Sequence, residues 1–321
     1  MIKRILVIFI LLISSFSFSQ LSKNHYIPPI SSGPSNADPL DQLMYISTPN
    51  QGDVNFTINI VGGNSISGTV SNATPYVYGI ADSGYSSFVQ DPATTSRVTS
   101  DKGYIINADS PIYVSIRLNA GNNAQAGALV SKGENALGTT FRVGTYDNQG
   151  SPGSNYLNFF SFMATEDNTT VNLTNERVTS GLQIQNAGAQ QFPINNISLN
   201  RGQTYVVAVK PEDTNENRAG LIGTLVSSDK PIVVNSGSAN GSFGNGGARD
   251  YGIDQIVELS KVGKEYIFVK GDGDNSFENV LVVAHDDNTE VSVNGTAVAT
   301  INAGYYYICL LYTSDAADER N

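Results

Sequence analysis

The sequence predicts an all-β protein made of tandem, partly truncated, antiparallel β-sandwich-like repeats, with a β-propeller-like arrangement as the alternative. Three observations carry the prediction. Short alternating apolar runs, divided by Gly, Asn, Asp, Ser and Pro, fill the chain from Leu43 onward. No stretch combines a helical apolar period with caps, and 31 glycines punctuate the strands. Finally, several blocks recur in the same order, as in a duplicated chain.

The most telling block is an apolar run, an acidic-Asp-Asn-Thr step and an alternating run. It occurs as Met163-Ala164-Thr165-Glu166-Asp167-Asn168-Thr169 and as Val283-Ala284-His285-Asp286-Asp287-Asn288-Thr289. Asp and Asn suit such a turn because their side chains bond nearby backbone and tolerate positive φ. Asp167 and Asp287 stand 120 positions apart, as do Pro111 and Pro231 in Ser110-Pro111-Ile112-Tyr113-Val114 and Lys230-Pro231-Ile232-Val233-Val234. Each proline is expected to start a strand, where its missing N–H does least harm. Gly138-Thr139-Thr140-Phe141 is similar to Gly263-Lys264-Glu265-Tyr266, and Arg201-Gly202-Gln203-Thr204-Tyr205 to Ala303-Gly304-Tyr305-Tyr306-Tyr307. A fainter third echo begins at Thr48-Pro49-Asn50 and runs through Val54, Phe56, Ile58 and Ile60. Each repeat supplies about seven or eight strands, which suits a sandwich. Propeller blades are usually nearer ~40–50 residues.

In chain order, residues 1–19 have the form of a secretory signal: Lys3-Arg4, nine apolar residues from Ile5 to Ile13, then Ser17 and Ser19 before a cut ahead of Gln20. The apolar run is well short of the ~20 residues of a membrane-spanning helix, so no transmembrane segment is expected in residues 1–321. Residues 20–40, with Pro28, Pro29, Pro34 and Pro39, are expected to form an extended linker or edge segment. Residues 41–101 form a partial β repeat, 102–226 the first full repeat and 227–308 a truncated second one. Residues 309–321 read as a non-native tail, because Cys309 to Glu319 resembles a translated sequencing adapter.

Composition excludes several classes. The formal charge of −11 and the lack of Lys/Arg clusters exclude a nucleic-acid partner. Cys309 is the one cysteine, so the fold must be held by packing, without disulfides, as suits a bacterial exported protein.

Gln20-Leu21-Ser22-Lys23-Asn24-His25-Tyr26-Ile27-Pro28-Pro29 resembles the mature start of large surface proteins exported by the type IX system of gliding bacteria. The repeat is similar to the N-terminal domain of the IgGFc-binding protein family. The residues that carry this are Ser228-Asp229-Lys230-Pro231-Ile232-Val233-Val234, Asp254-Gln255, Gly263-Lys264-Glu265-Tyr266 and Asp287-Asn288-Thr289. The resemblance covers 100–308 well and 41–99 loosely. It implies a secreted, cell-surface binding or adhesion module, with a surface glycan or a protein as ligand.

Catalytic residues are not expected. His25 lies in the N-terminal segment and His285 stands where the other copy has Thr165. The pairs Glu166/Asp167 and Asp286/Asp287 are adjacent on turns, unlike the carboxylates that face each other across a glycosidase cleft. No HExxH, CxxC, Walker loop or G-x-S-x-G is present. The sequence leaves a structural stalk without a ligand, and a secreted hydrolase, as alternative functions. No cofactor is expected, with calcium as the exception to test. Asp272, Asp274, Ser276 and Glu278 place oxygens at alternate positions, as calcium prefers, although the loop lacks the EF-hand's glycine and distant Glu.

Overall fold

The structure is a computed structural model. It describes residues 20–32, 39–119, 126–148, 157–178, 180–188, 190–212, 214–242, 250–269 and 279–310. The Asp272–Glu278 loop therefore lies outside the described residues. The protein is all-β, and its sheets are antiparallel apart from one two-residue parallel pair.

Ten strands precede residue 131: β1 (Ser22–Ile27), β2 (Ile30–Ser31), β3 (Leu40–Ser47), β4 (Val54–Ile60), β5 (Ser65–Val70), β6 (Tyr76–Ser83), β7 (Val89–Gln90), β8 (Val98–Thr99), β9 (Tyr104–Asn119) and β10 (Gly127–Val130). Seven follow before residue 257: β11 (Gly138–Arg142), β12 (Asn158–Ala164), β13 (Thr169–Thr174), β14 (Ile194–Leu199), β15 (Thr204–Ala208), β16 (Leu225–Ser238) and β17 (Gly252–Ile256). The last four are β18 (Asn279–Val283), β19 (Thr289–Val293), β20 (Thr296–Ile301) and β21 (Tyr306–Leu310).

Two long strands organise the fold. The first half of β9 lies between β1 and β4, and its second half between β10 and β3. With β5 beyond β4 and β6 beyond β3, two short sheets share one strand. They close on a common core, where Phe56 of β4 meets Tyr76 of β6 edge-to-face at 4.9 Å. β16 repeats the arrangement. It pairs first with β11 and β13, then with β12 and β17, and β14 and β15 lie outside. The register repeats as well: Ile58 of β4 faces Ile106, and Leu173 of β13 faces Val226, the residue 120 positions on.

Pro111 and Pro231 thus sit inside long strands instead of starting them. Each lies where the strand passes from one sheet to the other, at a break in register with β1 (Ser22↔Ile112, then Asn24↔Asn107) and with β11 (Gly138↔Ile232, then Thr140↔Ser227). A bulge leaves a residue without a ladder partner, so the missing N–H is tolerated there. The first large sheet takes its strands from 22–130; the second takes its strands from 138–256 and adds β8 at the edge beside β15. The expected divisions at 102 and 227 fall within this pattern, and β16 runs across the second.

The Pro-rich start is more than a tether. β1 is an edge strand on β9, and Ile27 and Ile30 are fully buried. Beyond β1 the segment runs against the second set of sheets. Asn235 Nδ2 donates to the Pro28 carbonyl at 2.8 Å, and Ser161 Oγ to that of Pro29. β12 is buried along its whole length. It carries Phe159 into the first core and Phe160 and Phe162 into the second, where Phe162 stacks on Tyr205 at 5.6 Å. Burial on both faces explains why this strand reads as a continuous apolar run without alternation.

The two Asp-Asn-Thr turns link equivalent strands, β12 to β13 and β18 to β19, and their hydrogen bonds match; they are not the expected hairpins, because β12 pairs with β15 and β16, and β18 with β21. Asp167 Oδ1 accepts from Arg201 N at 3.0 Å, and Asp287 Oδ1 from Ala303 N at 3.1 Å. Asn200 Oδ1 accepts from Asn168 N at 3.1 Å, and Asn302 Oδ1 from Asn288 N at 3.2 Å. Thr169 and Thr289 hydroxyls donate to the carbonyls of Glu166 and Asp286 at 2.8 and 2.7 Å. Gly202 and Gly304, at φ 82° and 76°, donate to Ala164 and Ala284 carbonyls. Tyr205 and Tyr307 hold equivalent register on β15 and β21, but Tyr307 is only half-buried.

Asn168 and Asn288 hold φ of 55° and 57°. A left-handed conformation costs most residues about 1–2 kcal/mol. Asn168→Ala should therefore lower the unfolding free energy by about 1 kcal/mol in urea titrations, and Asn168→Gly should change it by under ~0.5 kcal/mol. Equal losses in both variants would refute the backbone explanation.

Candidate binding cleft

A cleft of about 510 Å³ opens at the ends of β3, β9 and β10. Its floor is Leu118 and Tyr251, both buried, and its walls carry Asp41, Tyr45, Arg117, Asn119 and Asp250. Tyr45 and Arg117 lie on the paired strands β3 and β9, and the Arg117 guanidinium sits 5.9 Å from the Tyr45 ring centre. That distance suits a cation–π contact, which holds the side chain over the opening. Asn119 Nδ2 donates to Asp41 Oδ2 at 3.1 Å. On the far wall, Asp250 Oδ1 accepts from Ala126 N at 2.8 Å, and Tyr251 N donates to the Ala126 carbonyl at 2.8 Å. The second set of sheets thereby contributes Asp250 and Tyr251 to a cleft otherwise built by the first.

Repeat position sets the two bent strands apart at this point. By register, Arg117 faces Ala128 of β10 and Leu43 of β3, while Gly237 faces Ile253 of β17 and Phe159 of β12. Arg117 and Gly237 thus hold the same place in the two bent strands. At Gly237 a Cβ would come 2.1 Å from the Gly252 carbonyl oxygen, so no side chain fits there. Where the second copy admits no side chain, the first presents a cation beside an aromatic ring.

The residues weighed for catalysis have structural roles. His285 Nδ1 accepts from Arg142 Nε at 3.3 Å, and the same guanidinium holds Glu176 at 2.7 and 2.9 Å. That guanidinium holds the Glu176 carboxyl below its ordinary range. Asp167 and Asp287 cap their turns. His25 is fully buried. Its Nε2 points at the carbonyls of Ile112 (3.1 Å) and Ser22 (3.2 Å), and its Nδ1 lies 2.9 Å from Ser131 Oγ. Desolvation brings its pKa down to about 4. Among the described residues no three His, Cys, Asp or Glu side chains come together as metal ligands, and no helix is long and apolar enough to cross a membrane.

Sequence reasoning passed over every residue of the cleft. The available signal was the contrast of Arg117 with Gly237 at the repeat spacing, since Ser110-Pro111 and Lys230-Pro231 already set the alignment.

The profile described as IgGFc binding protein matches residues 126–318, well over half of the chain. No curated protein and no solved structure matches the chain. The profile spans the second set of sheets together with strands β18 to β21. The shared strand order extends the same architecture back to Ser22.

Proposed function

The chain belongs to the IgGFc binding protein family, and from that membership we propose a non-catalytic module that binds a protein ligand outside the cell. In this reading it is the N-terminal part of a large bacterial cell-surface protein and serves adhesion. The observation that carries the reading is the Arg117–Tyr45 pair over a cleft floored by Leu118 and Tyr251. Aromatic and Arg side chains around an apolar floor are the usual anchors of protein recognition. The cation favours a ligand segment that presents a carboxylate or a carbonyl.

Arg117 is exposed, so its removal leaves the fold intact. Arg117→Ala should weaken capture of surface proteins by about tenfold or more, with an unchanged melting temperature. The measurement is binding of the purified chain to arrayed surface proteins and, in parallel, to arrayed glycans. Undiminished binding by the variant would remove the cleft from the reading, and capture of glycans alone would replace the ligand class.

The reading as a spacer keeps one observation in its favour. The seam between the two sheet sets is buried and hydrogen-bonded through Gln255, Asn235 and Ser131, which makes a stiff pair of units. A chain that captures no ligand and scatters as a rigid rod would favour it.

A further inference from the structure

The cleft over Leu118 and Tyr251 carries three charges that do not neutralise one another. The Arg117 guanidinium packs on the Tyr45 ring, and among the described residues it makes no hydrogen bond and no ion pair. Asp41 spends one carboxylate oxygen on Asn119, and Asp250 spends one on Ala126 N. Among the described residues the other oxygen of each has no donor. All three groups line one cleft, yet neither carboxylate lies within ion-pair distance of Arg117.

The backbone holds the acids and the floor in place. Asp41 has a φ of 40°, in the left-handed region, where β3 breaks register with both β6 and β9. Bulges of this kind re-aim a side chain, and a non-glycine residue at positive φ marks a geometry that its surroundings impose. Across the cleft, Asp250 and Tyr251 are both tied to the backbone of Ala126. A Cβ on Gly127 would come 2.6 Å from Tyr251 Cβ and 3.4 Å from Leu118 Cδ1, so β10 lies flat against the two floor residues.

These charges select the ligand. A simple anion drawn to Arg117 would face two carboxylates, and a simple cation drawn to the carboxylates would face the guanidinium. Like charges brought together in this way reject a partner. A zwitterion with its charges set apart satisfies all three groups. The charges of a free α-amino group and its own carboxylate are too close together, because the opposite charges of the cleft stand farther apart than an ion pair. An alkyl chain between the ligand's charges would span that gap and lie on Leu118 and Tyr251.

We propose that the cleft takes a polypeptide that ends in lysine. The terminal carboxylate sits on Arg117, which can hold it through two parallel N–H bonds. The ammonium, with three donors, sits between Asp41 and Asp250, and the aliphatic stem covers the floor. The inference rests on the reading of this cleft as the binding site and narrows its ligand to one kind of chain end.

Calorimetry on the purified full chain, with 6-aminohexanoate and with short peptides ending in lysine, provides the test. Saturable one-to-one binding is expected for both probes. Amidation of the terminal carboxylate, or norleucine in place of the lysine, should each weaken peptide binding by about tenfold or more. Arg117→Ala should bind the free acid and the amide alike. Asp41→Asn combined with Asp250→Asn should bind the lysine and norleucine peptides alike and still prefer the free acid. Asparagine keeps an oxygen for Asn119 and Ala126 and tolerates positive φ, so the melting temperature should not move. The peptide comparisons on the parent chain need no variant and decide the matter alone. No binding of either probe, or equal binding of the amidated or norleucine peptide, would overturn the proposal. Capture of surface proteins that needs Arg117 but persists after carboxypeptidase B has removed their terminal lysines would also overturn it, and would leave the binding reading standing.

Discussion

Gln255→Ala is expected to lower the unfolding free energy by about 4 kcal/mol, a loss large enough to threaten the fold of the first two units. The side chain is fully buried on β17. Its amide donates to the Tyr26 carbonyl at 2.9 Å and to Asn235 Oδ1 at 3.3 Å. Its carbonyl accepts from Lys132 N at 2.7 Å and lies 3.2 Å from Ser131 Oγ, whose one proton goes to the closer His25 Nδ1 at 2.9 Å. Alanine would leave the half-buried Lys132 N–H and Tyr26 carbonyl without these partners, at up to about 1–3 kcal/mol each, and leave a cavity. Asn235, which holds Pro28, would lose part of its orientation. Because these partners lie on β1, on the 131–132 connection and on β16, the variant should loosen the whole N-terminal segment. Urea titration measures the loss, and limited proteolysis at Lys23 should accelerate in parallel. A loss under ~1 kcal/mol would show that water or repacking replaces the network.

The sequence carried the repeat because turn chemistry is local. Asp167-Asn168-Thr169 and Asp287-Asn288-Thr289 bond to their own loops and to the neighbouring turn, so the same letters had to recur for the same turn to form. The phase of the repeat was harder to read. β9 and β16 each look like two strands because a proline and a register break interrupt their alternation, and only pairing partners reveal one continuous strand. β1 was obscured by its surroundings: prolines signal a linker, while burial of Ile27, Ile30 and His25 depends on β9 and β12, which lie far along the chain. Asp254-Gln255 was visible as a motif without a reason. The reason is the salt bridge from Lys132 to Asp254 at 2.7 Å and the Gln255 network, both long-range. Arg117 had no signal of its own, since an exposed arginine on a strand is ordinary until its counterpart proves to be glycine.

The pH dependence of stability is the second large effect, and it belongs to His25. The ring is fully buried beside β9, in the position that Phe141 holds beside β16. Facing two carbonyls, Nε2 carries the proton, and Nδ1 accepts from Ser131 Oγ, so the neutral ring satisfies both nitrogens. Desolvation, the largest influence, lowers its pKa from 6.5 to about 4; the Ile112 and Ser22 carbonyls and the Glu134 carboxylate oppose it. Between those values the unfolded chain binds a proton that the folded chain does not. Stability from this group is therefore complete above pH 6.5, falls as pH drops toward 4, and falls no further below that. A gap of this size corresponds to about 3 kcal/mol. His25→Phe, which imports the residue of the second unit, should abolish this component while leaving the carboxylates' contribution in place. It should also cost about 1–2 kcal/mol at roughly pH 7.5, because the Ile112 and Ser22 carbonyls lose their donor. Urea titrations of both proteins at about pH 4.5, 5.5 and 7.5 give the comparison. Parallel losses in the two proteins would mean that His25 is already charged in the folded state or that the acid transition has another origin. A parent that loses about 3 kcal/mol more than the variant on acidification would assign the transition to this one buried ring.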